Sequence, residues 1–234
     1  MLVAAAVCPC PPLLVPEVAS GAASELEEVR AHCADALGVL AAARPDRVYV
    51  VGAVSEGEAG AFPGGSGGSF AGFGVDLAVR LGEGPGGRPL PDSLAVGAWL
   101  LSRTDRADVP VEGLGVDERA GVEECAESGR RLAASADRVA LLVLGDGSAC
   151  RTVKSPGYFD ERAAGFDAEA ARVLGSADVP GVLALDADLA YELKAAGRAP
   201  WQVLAGAAEG AGLAGRLLHE DAPYGVEYLV AVWS

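Results

Sequence analysis

Two thiols stand two residues apart in Ala6-Val7-Cys8-Pro9-Cys10-Pro11-Pro12-Leu13-Leu14, directly after an apolar run from Leu2 to Val7. Side chains two apart in an extended strand share a face, so Cys8 and Cys10 offer paired soft ligands for a metal such as Zn or Cu(I). A complete site needs more ligands. Cys150 can supply one if its segment meets this one; three small buried thiols are the plain alternative. The prolines fix φ and withhold donors, so the corner is stiff, and stiff corners at strand ends are where α/β proteins build sites.

A second segment, Gly145-Asp146-Gly147-Ser148-Ala149-Cys150-Arg151-Thr152, follows the buried run Val139–Leu144 at once. The glycines permit a tight turn with close backbone approach. Asp146 can orient a base, bind a metal or cap the turn, and Ser148 is a candidate nucleophile; these two are the catalytic candidates. Cys150 and Arg151 are binding candidates. The two histidines, His32 and His219, lie in segments that read as helix faces or ends, as surface or packing residues, so the sequence assembles no Ser-His-Asp triad. A third segment, Pro223-Tyr224-Gly225-Val226-Glu227, heads the closing strand. Tyr224 is a binding candidate. Glu227 can complete a metal site with Cys10, or be solvated at a sheet edge. After the strand Val48–Val51, Ser55 is a binding candidate, and Glu56 or Glu58 can add a carboxylate to the metal set.

Elements that position these residues are legible as an alternation. Strands are expected at Leu2–Val7, Val48–Val51, Val109–Val116, Val139–Leu144 and Tyr228–Trp233. Helices are expected at Ser20–Ala43 (with Ser24 as a cap), Leu90–Ser102, Arg119–Ala136, Phe166–Leu174, Asp186–Ala196 and Trp201–Ala214. Gly52–Gly74 reads as a long loop rich in Gly, Ser and Glu, within which the run Phe62–Phe70 either hugs a ligand or simply flexes. Strands alternating with helices imply one layered α/β domain over 1–234, with a central mixed sheet flanked by helices.

With 33 acidic against 18 basic residues the chain carries a net charge of −15, which argues against nucleic acid and anionic membranes as partners. A small-molecule ligand suits the strand-end segments; a homo-oligomer or a protein partner stays open. Five cysteines, an odd number without disulfide-like spacing, point to a reducing compartment. No apolar run approaches the roughly 20 residues of a membrane span, and the start lacks a basic leader, so a cytoplasmic location is expected.

Taken in order, the three segments resemble the class III extradiol ring-cleavage dioxygenase B-subunit superfamily, which includes the Memo-like proteins. Cys10-Pro11-Pro12-Leu13-Leu14 is similar to its His-Pro-Pro-Leu-Leu corner, and Val50–Ser55 to its second strand end. Gly145-Asp146-Gly147-Ser148-Ala149 is similar to its Gly-Asp-Leu-Ser-His segment, and Glu227 stands where a metal-binding Glu is expected. The resemblance implies that superfamily's α/β fold and a non-haem Fe(II) site of two His and one carboxylate, open to a catecholate and O₂. Yet Cys10, Ser55 or Glu56, and Ala149 stand where imidazoles are expected. Three outcomes are therefore open. One is a pseudoenzyme that keeps a small-molecule pocket and needs no cofactor. Another is an oxidoreductase with Fe(II) or another divalent metal held by Cys10, Glu56 and Glu227. The third is a metal-free enzyme using Asp146 and Ser148.

Overall fold

The computed structural model describes residues 1–104 and 109–234. Its strands are β1 (Leu2–Cys8), β2 (Arg47–Val54), β3 (Gly60–Phe62), β4 (Gly67–Ser69), β5 (Ala78–Arg80), β6 (Val111–Asp117), β7 (Val139–Leu144), β8 (Gly215–Asp221) and β9 (Tyr228–Trp233). Seven of them form one mixed sheet in the order β3-β6-β2-β7-β1-β9-β8, and β4 pairs with β5 in a separate ribbon. The four central strands β6, β2, β7 and β1 are parallel; β9 runs antiparallel to β1, and β3 antiparallel to β6.

Parallel strands covered on both faces read as continuous apolar runs, and β7 (Val-Ala-Leu-Leu-Val-Leu) is buried throughout. Its alternate residues feed two cores. Val139, Leu141 and Val143 face one layer, containing α4 (Val122–Ala133), α5 (Ala163–Gly175) and α8 (Arg198–Ala208). Ala140, Leu142 and Leu144 face the other, containing α2 (Glu27–Ala42) and α3 (Asp92–Ser102). Short helices α1 (Pro16–Ala19), α6 (Val179–Leu183) and α7 (Ala187–Glu192) fill connections.

Several expected boundaries move. The helix expected from Ser20 begins as a 3-10 segment, Ser20–Leu26, and the α-helix starts at Glu27 with no side-chain cap, so Ser24 does not cap it. The expected loop Gly52–Gly74 holds the end of β2, then β3 and β4. Glycine's low strand propensity hides these short strands, which backbone pairing and, in β3, the buried Phe62 sustain. The helix expected over Trp201–Ala214 starts at Arg198 and ends at Ala208. His219, read as a helix face or end, lies on β8, a half-exposed edge strand missing from the sequence reading. Partial burial deprives an edge strand of a clean apolar alternation.

Helices α4 and α8 cross backbone to backbone. A Cβ on Gly129 would lie 2.0 Å from the Val203 carbonyl oxygen, and one on Gly206 2.1 Å from that of Ala126. Neither partner is a flexible side-chain end, so the helices must separate to admit a methyl group. Gly206→Ala is expected to cost about 3 kcal/mol and to lower Tm by on the order of 10 °C in thermal unfolding. An unchanged Tm would show that the crossing yields freely.

Candidate functional site

The C-terminal ends of β1 and β7 and the start of β9 meet at one end of the sheet. The Cys10 amide donates to Asp146 Oδ1 at 2.9 Å, joining the first two. The Glu227 amide donates to the Ser148 carbonyl at 2.9 Å, and the Gly147 amide to the Glu227 carbonyl at 2.8 Å, joining the last two. The glycines of the Gly-Asp-Gly turn are required by these approaches. A Cβ on Gly145 would lie 2.3 Å from Gly197 Cα; one on Gly147 would strike the Glu227 side chain at 2.7 Å and Asp167 Oδ1 at 2.8 Å.

Beyond the turn lies a buried cluster of acids around one guanidinium. Ser148 donates to Asp167 twice, from its amide to Oδ1 at 2.7 Å and from its hydroxyl to Oδ2 at 2.6 Å. Arg151 Nη1 bridges Asp167 Oδ2 at 3.2 Å and Glu227 Oε2 at 2.5 Å. Both carboxylate side chains are essentially sealed, at 0% and 1% exposure, and Arg151 reaches them from the surface. The second Glu227 oxygen, Oε1, is buried without a hydrogen-bond partner. Burial, and then the charge of Asp167, push the Glu227 carboxyl up to about 7, against the pull of Arg151. A hollow of about 410 Å³ opens over this cluster, lined by Arg151, Thr152, Glu220, Asp221, Ala222 and Glu227.

On the other side of the turn, burial pushes the Asp146 carboxyl up to about 7, although the Cys10 amide pulls it down. Burial, with Asp146 and Asp92 as neighbours, holds the Cys10 thiol well above its ordinary value. A smaller cleft of about 190 Å³ is lined by Ser55, Glu58, Asp92, Ser93, Glu118 and Ala196, among others.

The residues singled out from sequence thus divide. Arg151 and Glu227 come together as one site, with Ser148 in direct support through Asp167. Ser148 is fully buried with its hydroxyl committed to Asp167, an arrangement that supports a carboxylate and leaves no free nucleophile. Asp146 is engaged with the Cys10 corner instead. Tyr224 donates to Glu25 Oε2 at 2.9 Å and is absent from the hollow's lining. Ser55 lines the smaller cleft, and Glu56 is exposed.

The ligand sets proposed for a metal do not assemble. Cys10, Glu56 and Glu227 form no grouping with ligand atoms within 4.8 Å of one another; among the described residues Glu28, His32 and His219 do. Cys8 and Cys150 belong to the cores on opposite faces of the sheet. Cys8 lies in the same buried core as Cys33, and the Cys150 thiol points to the carbonyls of Gly157 and Leu193 at 3.5 and 3.4 Å.

Asp167 is not among the residues singled out from sequence. Its signal was present: within α5 it shares the buried stripe with Ala163, Phe166, Ala170, Ala171 and Leu174, and an ionisable residue on an apolar helical stripe requires a partner.

No protein-family model and no curated protein sequence matches the chain. The uncharacterized protein JW3007 from Escherichia coli K12 has a similar crystal structure, with a TM-score of 0.50 at 15% identity over 99% of each chain. At that identity the likeness shows the α/β fold alone.

Two outcomes follow from the electrostatics. The folded chain holds a proton on Asp146 (ordinary value 3.8) and Glu227 (ordinary value 4.5) up to about pH 7. The stability from this tighter proton binding is fully present below the ordinary values and is lost as pH rises to about 7. Asp146→Asn keeps an acceptor for the Cys10 amide without the charge. It is expected to match the parent's Tm near pH 4 and exceed it near pH 8, in thermal melts across that range. Arg151→Met leaves two facing carboxylates uncompensated and should cost about 3–5 kcal/mol above pH 7, less near pH 5 where Glu227 takes up a proton. Denaturant titrations at the two pH values check this.

Proposed function

We propose that this protein is a divergent member of the class III extradiol dioxygenase B-subunit superfamily that has lost Fe(II)-dependent catechol cleavage. On this reading it retains a small-molecule site at its strand ends. The observation that carries the reading is the buried, unpartnered Glu227 Oε1 beneath the 410 Å³ hollow. A buried acceptor without a partner costs roughly 1–3 kcal/mol, which a bound donor would recover. The rim adds Glu220 and Asp221, and among the described residues the lining's one cation, Arg151, is already shared between Asp167 and Glu227. Such a site favours a small molecule bearing an ammonium or several hydroxyls, and disfavours an anion.

The Fe(II) implied by the resemblance does not fit the residues present. Cys10 stands at the first ligand position with its thiol kept protonated by burial and by the charges of Asp146 and Asp92. Ser55 offers an exposed hydroxyl and Ala149 a methyl group, neither a substitute for imidazole. Glu227 already gives one oxygen to Arg151.

One observation favours a second use of the same site. A carboxyl at about 7 in a hollow is suited to move a proton to or from whatever binds there. Glu227 would then serve as a general acid or base without metal.

The test is thermal unfolding of the full chain against small amines, amino alcohols, polyols and carboxylates. A binder at a hundredfold excess over Kd adds about 2.7 kcal/mol, or roughly 5–10 °C in Tm. Amines or hydroxylated compounds are expected to give the rise, and Glu227→Gln to abolish it. A rise confined to carboxylates would sink the ligand assignment. Fe(II)-dependent oxygen uptake with a catechol, after anaerobic reconstitution, would sink the loss of ring cleavage.

A further inference from the structure

The chain's two histidines meet in space although they stand far apart in sequence. His32 lies on α2 and His219 on β8, and their rings stack with centroids 5.1 Å apart at 26°. Glu28, one helical turn before His32, brings a carboxylate oxygen 3.9 Å from His32 Nε2. One ligand atom from each of Glu28, His32 and His219 lies within 4.8 Å of the others. None of the three lines the strand-end hollow.

Two further observations point to a ligand at this place. His219 Nε2 is buried and has no hydrogen-bond partner. The strand is also bent to aim this ring. Pairing of β8 with β9 slips between Leu217, opposite Ala231, and His219, opposite Val230. Leu217 packs toward the α5 layer, and strict alternation would send His219 the same way. The extra residue at Leu218 breaks the alternation, and His219 turns to the α2 layer instead, where Leu218 also packs. Bulges re-aim side chains in this manner beside functional sites.

We propose that Glu28, His32 and His219 form a binding site for a divalent transition-metal ion of the zinc class, with one coordination position left to water or an outside ligand. Two imidazoles and a carboxylate suit such an ion, whose ligand distances are about 2.0–2.2 Å. The atoms must draw closer by roughly an ångström, and Glu28, with 77% of its side chain exposed, is free to swing in. Asp35 Oδ2 lies 4.0 Å from the other ring nitrogen, His32 Nδ1. That is beyond hydrogen-bond reach, but Asp35 is 76% exposed and free to close the gap; accepting from Nδ1–H, it would leave Nε2 free for coordination. The ion would pin the edge strand β8 to α2. The chain's net charge of −15 raises the local concentration of cations.

The test is calorimetry and equilibrium dialysis of the full chain with Zn²⁺ under reducing conditions. One ion per chain is expected. Affinity should fall about a hundredfold or more in His32→Ala and in His219→Ala, and about tenfold in Asp35→Asn. Cys10→Ser should bind as the parent does. Co²⁺ loading should give visible bands without thiolate-to-metal charge transfer. Should His219→Ala fail to fold, His32→Ala, on the helix surface, and the Co²⁺ spectrum decide alone. Absence of Zn²⁺ binding, affinity unchanged in His32→Ala, or loss of the ion in Cys10→Ser would overturn the proposal.

Discussion

The strand-end site depends on a single guanidinium nitrogen that serves two sealed carboxylates. Arg151 Nη1 holds Asp167 from α5 and Glu227 from the start of β9, and Ser148 holds Asp167 from the turn after β7. Separate parts of the chain are thereby tied through charge at a point where apolar packing runs out. Two negative groups against one positive leave the cluster short of neutralisation. Burial first, and then this excess negative charge, raise the Glu227 carboxyl to about 7, and its Oε1 lacks a partner. Removing a member of a buried ionic cluster costs more than the cluster itself contributes, because it strands the charges that remain.

The backbone makes this arrangement possible. Gly147 passes between Glu227 and Asp167 with no room for a Cβ, and Gly145 lies against Gly197. The turn after β7 therefore works as a narrow spacer. It carries Asp146 to the Cys10 corner and Ser148 to Asp167. The two carboxyls that rise to about 7 thus occupy separate environments, one under the proline corner and one under the hollow. Burial is the leading cause in both.

Imidazole is distributed unexpectedly. The strand ends hold thiol, hydroxyl and methyl groups at Cys10, Ser55 and Ala149, while both histidines gather at the outer edge between α2 and β8. Metal chemistry, on the reading proposed above, is thereby separated from the strand-end hollow. On that reading the hollow takes hydrogen-bond donors and the edge takes a cation. A slip in the β8 pairing makes the second arrangement, since without it His219 would face α5.

The sequence by itself determined the α/β alternation and the buried strands β1, β7 and β9 almost to the residue, and it singled out the Gly-Asp-Gly turn, Arg151 and Glu227, which the fold brings together. Continuous apolar runs and turn glycines are local signals, set by burial on both faces and by close approach. Only the tertiary structure decided that Asp167 completes the site, that Ser148 supports a carboxylate, and that Cys8, Cys10 and Cys150 do not converge. Sheet sidedness, strand order and helix docking settle those contacts. They also decided the existence of β8 and the meeting of His32 with His219. An edge strand without alternation and a one-residue slip leave no periodic trace, because a bulge interrupts the very repeat from which a strand is read.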